Sequence, residues 1–212
     1  MELNRQRLQS ANIDPAVKSL LFDLLDLGPT AVTGAGAPNG ATVSATETGV
    51  GGIHRTVLTL SATPVTITDD AGVAQYGGTG KIYDFPEGMI NVLGAVVSGN
   101  LTLGTTGTII AAFTGVNSLG TATATTGATL VSTEADILQS TANGTASGSV
   151  AAIDSVPVAT AVTESGARWL DGTATAKDMF LNFAIADDVT HTSGTGTFTG
   201  TVAFTWVSLG DN

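Results

Sequence analysis

The chain has 212 residues, 42% of them apolar and only 12% charged, which supplies a sizeable core and argues against a disordered polyelectrolyte. Its net charge of −11 opposes contact with a phosphate backbone, so nucleic-acid binding is not expected. The absence of cysteine excludes disulfide staples and thiolate metal sites.

The charge is unevenly spread. Residues 1–12 hold Arg5 and Arg7 against Glu2, a net of +1, which leaves −12 on the other 200 residues. A basic tip on an acidic body reads as a tip that docks and a body that stays in solvent. The first residues lack the apolar stretch of a signal peptide, so synthesis in a cytoplasm is expected.

An amphipathic helix is expected from Asp14 to Leu27. Asp14 serves as N-cap with Pro15 at the first helical position. Val17, Leu20, Leu21, Leu24 and Leu25 then recur as one apolar stripe, and Gly28-Pro29 ends it. Asp23 and Asp26 interrupt the apolar run, so it is no membrane span and no membrane partner is expected. A helix of about three turns is marginal in water, so its stripe needs a surface to pack on.

Residues 30–52 are rich in Gly, Ala and Thr without an apolar period and read as a tether. Residues 1–29 are then an arm and residues 53–212 the body. In the body, Leu58 and Leu60 share one parity and Val65 and Ile67 the other, so a bend or bulge is expected near Thr63-Pro64. Turns are expected at Asp69–Gly72, Gly77–Gly80 and Pro86–Gly88. Met89 to Val97, apolar on both faces, reads as a central strand. A single turn is expected at Ser132–Glu134 and a long loop over residues 139–152. Asp178 to Ala186 reads as a buried strand. In the last strand Phe198, Val202, Phe204 and Trp206 alternate with Thr and Ala, the pattern of an antiparallel strand with one buried face. The whole predicts an all-β, jelly-roll-like antiparallel β-sandwich with an N-terminal helical arm.

Catalytic equipment does not stand out. His54 and His191 have no His or Cys partner at metal-ligand spacing, so no metal site is expected. Gly34–Gly40 misses the dinucleotide-loop spacing and Gly80-Lys81 lacks the rest of a phosphate loop, so no cofactor is expected. Asp69-Asp70 and Asp187-Asp188 fit turn chemistry better than calcium binding or glycoside hydrolysis. The sequons at Asn100 and Asn143 are what chance gives in a Thr-rich chain. The chain reads as a non-enzyme.

Four stretches together carry a resemblance: Val57–Asp69 (VLTLSATPVTITD), Gly80–Gly88 (GKIYDFPEG), Asp171–Phe183 (DGTATAKDMFLNF) and Thr205–Asn212 (TWVSLGDN). The chain resembles a family of small virion proteins of tailed bacteriophages, taken to be capsid cement or decoration proteins. The resemblance spans residues 53–212 and rests on structural motifs. It implies a mechanical role on the outer capsid surface, commonly as a homotrimer, with the major capsid protein as partner and no cofactor. On that reading Arg5, Arg7, Val17, Leu20, Leu21 and Leu24 of the arm are the partner-binding residues. The rival expectation is a head or tail fibre component, a host-glycan-binding β-sandwich using Trp169 and Tyr76. A glycan-cleaving β-sandwich would need two convergent carboxylates that the sequence does not name.

Overall fold

The computed structural model describes residues 36–50, 52–70, 74–103, 115–125, 129–142, 150–154, 169–186 and 193–210. The arm with Arg5, Arg7, Val17, Leu20, Leu21 and Leu24 lies outside them, as does the helix expected over Asp14–Leu27.

The described residues form twelve strands, in chain order β1 Ala37–Pro38, β2 Val43–Val50, β3 Ile53–Asp70, β4 Ala74–Thr79, β5 Tyr83–Asp84, β6 Gly88–Leu103, β7 Gly115–Gly120, β8 Leu138–Ala142, β9 Val150–Asp154, β10 Trp169–Gly172, β11 Asp178–Ala186 and β12 Gly194–Gly210. All pairings are antiparallel, and the path runs β1-β5-β11-β4-β3-β12-β6-β10, with β2 added to β3, β9 to β6, and β7 between β11 and β8. The expected antiparallel all-β class is observed. Its strands belong to one strongly curled sheet, a half-barrel, rather than to two separate layers. The reason is strand length: β3, β12 and β6 run for 18, 17 and 16 residues and pass through both halves of the curl.

The curl has a local cause. In β3 the buried positions are His54, Thr56, Leu58 and Leu60, then Thr63, Val65 and Ile67. The parity changes at Ala62, whose φ is +52°, because β3 carries an extra residue there: Ser61 and Ala62 stand opposite Thr199 of β12 alone. The Thr199 hydroxyl, opposite that bulge, accepts the Ala62 N–H at 3.0 Å. The extra residue keeps one continuous face inward while the strands turn. Pro64 lies between the stretch of β3 paired with β2 and the stretch paired with β4, so no strand meets it on that side.

The concave side holds the core. Leu58, Leu60, Val65, Ile67, Ile90, Val97, Leu181, Phe183, Val202 and Phe204 are all essentially inaccessible. The last strand buries Phe198, Val202, Phe204 and Trp206 and leaves Thr197, Thr199, Thr201, Ala203 and Thr205 facing outward, as its alternation predicts. β11 is buried as expected, and the 3-10 turn at Ser132–Glu134 is present.

Three expectations are corrected. The described part of the segment read as a tether, residues 36–50, is built into the sheet: β1 pairs with β5 and β2 forms a hairpin with β3. The glycines Gly77 and Gly78 are strand, not turn. A Cβ on Gly77 would overlap the Thr66 carbonyl and one on Gly78 would lie 2.7 Å from the Leu181 oxygen, so close backbone approach demands glycine there. The stretch read as a loop over 139–152 contributes strand at both ends, in β8 and β9.

Candidate interaction surface

Few aromatic residues are available, and they are concentrated with the most polar part of the core. Glu47 on β2 lies directly across from Thr56 on β3, and its side chain enters the concave side. Its Oε1 is 2.7 Å from His54 Nδ1, and its Oε2 accepts the Thr56 hydroxyl at 3.0 Å and the Tyr83 hydroxyl at 2.7 Å. Trp206 donates its indole N–H to Thr56 Oγ1 at 3.0 Å, and the His54 ring stacks on Trp206 with centroids 3.9 Å apart. Tyr83, Phe85 and Phe204 close round them edge to face. Burial, then the hydrogen bond to Glu47, raises the Tyr83 phenol far above its ordinary range, so it stays a donor. The array is closed: every hydrogen bond satisfies another internal group, and His54 is 1% exposed. It is a structural hub fixing β2 and Gly36, whose N–H donates to Tyr83 Oη at 3.0 Å. His54 is therefore held inside the core, between Glu47 and Trp206.

A second polar network covers the outer face of β11. Asn182 Oδ1 accepts the Ala124 N–H, and its Nδ2 donates to the carbonyls of Ala122 and Glu134 at 2.8 and 2.9 Å. The Glu134 carboxylate accepts the N–H groups of Thr125 and Val131, and Asp136 accepts the N–H and hydroxyl of Thr121. Burial raises the Asp136 carboxyl above its ordinary range, opposed by the two Thr121 hydrogen bonds. These contacts hold the segment between β7 and β8 over Ala184, where Ala124 and Leu130 form a small cluster with Tyr76, Val116 and Ala135. Tyr76 is spent in that packing.

Several other charged residues have local partners. Lys81 bridges Asp84 at 2.7 Å and Asp178 at 3.3 Å. Its ammonium is held above its ordinary range, chiefly by the Asp84 hydrogen bond. The Asp69 carboxylate accepts from Gln75 Nε2 and the Asp69 N–H donates to Ser193 Oγ, which is strand-end chemistry. Asp187, Asp188 and His191 lie outside the described residues. Among the described residues no group of three His, Cys, Asp or Glu side chains could hold a metal ion.

The convex side of β3, β12, β6 and β10 differs from all of this. The register lines up Ile53, Val207, Asn91 and Trp169 across four strands, and Val57, Ala203 and Val96 across three. Ile53, Leu93, Trp169 and Leu209 are each about half exposed. A shallow groove of about 410 Å³ opens between β6 and β12 at a bulge, lined by Leu93, Gly94, Val96, Ala203 and Thr205 with Arg55 beside them. Gly94 leaves open space where a side chain would stand. Among the described residues no carboxylate pairs with Arg55. Asp171, farther along β10, is turned onto the N–H and hydroxyl of Thr173, which lower its carboxyl.

Comparison with protein-family models, with characterised proteins and with solved structures gives no match. Of the residues singled out from sequence, Trp169 reaches this surface; His54 belongs to the core. The groove itself was not singled out. Its one legible signal was Met89–Val97, apolar on both faces of a strand.

Proposed function

We propose that the protein is a structural virion protein of a tailed bacteriophage, bound to the outer capsid surface and bridging neighbouring major capsid proteins. The observation that carries this reading is the set of half-exposed apolar side chains Ile53, Trp169 and Leu209, left uncovered among the described residues on the convex side of an acidic body. An exposed patch of this kind marks an interaction surface. The resemblance of Val57–Asp69, Gly80–Gly88, Asp171–Phe183 and Thr205–Asn212 to capsid cement proteins supplies the class of partner. In this reading the two halves of the curled sheet stand for the layers of a jelly-roll-like sandwich, the assembly is a homotrimer, and no catalysis is performed. The arm, with Arg5, Arg7, Val17, Leu20, Leu21 and Leu24, adds intermolecular contacts whose linkage to the body raises avidity.

The test is co-sedimentation of the purified chain with expanded shells of a tailed-phage major capsid protein. Saturable binding and a higher melting temperature of the shell are expected, with weaker binding by the Arg5→Glu, Arg7→Glu double variant. Absence of binding to intact shells overturns the proposal. Exposed Trp169 favours a second reading, recognition of a host glycan, which glycan-array binding lost in Trp169→Ala would support.

A further inference from the structure

We propose that Lys81, Asp84 and Asp178 form a proton-operated clasp between β5 and β11. With a proton on Asp178 the clasp holds β5, and β1 beside it, on the sheet; when that proton leaves, the hold weakens. The device is independent of what the protein binds.

The geometry starts from the register. Asp84 of β5 and Asp178 of β11 are directly opposed, so their side chains share one face of the strand pair. Like charges in that position destabilise the pairing. One cation serves both: Lys81 Nζ lies 2.7 Å from Asp84 Oδ1 and 3.3 Å from Asp178 Oδ1. The second Asp84 oxygen accepts Asn39 Nδ2 at 3.2 Å, which ties the residue after β1 to the same carboxylate. The three charged side chains are each about one-third exposed, so solvent screens them only in part. Two carboxylates on one ammonium leave an excess negative charge. A proton on Asp178 removes that excess and gives Asp84 another donor.

The surroundings push the two carboxyls apart. Burial and the hydrogen bond to Asp84 raise the Asp178 carboxyl, against the pull of Lys81. Burial works on Asp84 too, but hydrogen bonds from Lys81 and Asn39 outweigh it and hold that carboxyl below its ordinary range. Lys177, next to Asp178 in the chain, acts on Asp136 and Asp171 instead. The contribution of Asp178 is full below its unfolded value and is lost as pH rises through the folded one. That of Asp84 is present above its unfolded value and is lost as pH falls through the folded one. The clasp is therefore fullest in mild acid, with one proton on the pair.

What it grips is small enough to respond. β5 and β1 have two residues each and pair with one another. The Ile82 and Phe85 N–H groups donate to the carbonyls of Met179 and Lys177 at 2.9 and 2.8 Å, one on each side of β5. Tyr83, inside this short strand, donates to Glu47 and accepts from Gly36, so the seating of β5 is passed to β2.

The test follows thermal unfolding of the full-length chain in an Asp136→Asn background, which removes the other raised carboxyl. Asp178→Asn supplies a permanently neutral donor. It should raise the melting temperature by about 1–3 °C at about pH 8, and the gain should vanish toward about pH 5. Lys81→Met leaves the carboxylates unbridged and should enlarge that gain. In the unaltered chain the Ile82 and Phe85 amides, corrected for the intrinsic effect of pH, should exchange about threefold faster at about pH 8 than at about pH 5. In Asp178→Asn the two corrected rates should agree. A melting temperature lowered by Asp178→Asn at the higher pH, or raised equally at both, would overturn the clasp. So would corrected exchange of both amides that ignores pH in the unaltered chain.

Discussion

The two halves of the curled sheet treat their outer faces differently. Over β11 the chain returns between β7 and β8 and lays Ala124 and Leu130 on Ala184, held down by Asn182 and Glu134. Over β3, β12 and β10 no described segment does the same, although Ile53, Leu209 and Trp169 are each about half exposed. Among the described residues, then, a cover of this kind lies on one half of the sheet only.

The largest effect that can break this comparison lies inside the curl. Trp206→Ala removes a fully buried indole that stacks on His54 and donates to Thr56, and should cost about 3–5 kcal/mol in chemical denaturation. A smaller loss would show that the Glu47 hub holds the end of β3 without its aromatic lid. Next comes the covered face. Asn182→Ala orphans the Ala124 N–H and the carbonyls of Ala122 and Glu134, and should cost about 2–4 kcal/mol. Hydrogen exchange should rise first in residues 121–137. If exchange rose equally in β12, the cover would be part of the main core instead of a separate layer.

On the bare face the cost should be small. Thr205→Ala is expected to lower stability by less than about 1 kcal/mol, because its side chain faces outward. A loss as large as that of Trp206→Ala would mean that this face is buried in a tight oligomer even in dilute solution. The smallest effect is a pH dependence on the covered side. The folded-state carboxyl of Asp136 is raised above its unfolded value by burial. Its contribution is therefore fully present below the unfolded value, near about pH 3.9, and is lost as pH rises through the folded one. Asp136→Asn should flatten that part of the stability profile. An unchanged profile, followed by thermal unfolding at stepped pH, would show that solvent reaches the carboxylate.

What the sequence made legible follows from its apolar period. β12 and β11 were readable because Phe198, Val202, Phe204 and Trp206, or Met179, Leu181, Phe183 and Ile185, alternate with residues of other kinds. The bend in β3 was readable because Leu58 and Val65 cannot share a face in a regular strand. β2 was not, since its inward positions are Val43, Ala45, Glu47 and Gly49, and a buried glutamate looks like a solvent residue. The parity of Leu58 and Leu60, carried back to Thr56 and His54, was the available signal that these polar side chains point inward. Gly77 and Gly78 misled for a different reason: the demand for glycine comes from backbones of β3 and β11, remote in sequence. The groove was hidden because it arises from a bulge and a missing side chain at Gly94, and neither has a periodic signature.

The central pairing of β3 with β12 joins residues 53–67 to residues 194–207. During synthesis at about 5–20 residues per second, β3 is complete roughly 6–25 s before β12 begins to appear. Through that interval Leu58, Leu60, Val65 and Ile67 have only the short hairpins with β2 and β4 beside them. Folding is therefore dominated by non-local contacts and should be slow. The strand that stands mid-sheet in space is the last of the twelve in chain order, so a nascent chain can gather its edges early but acquires its centre only near the end.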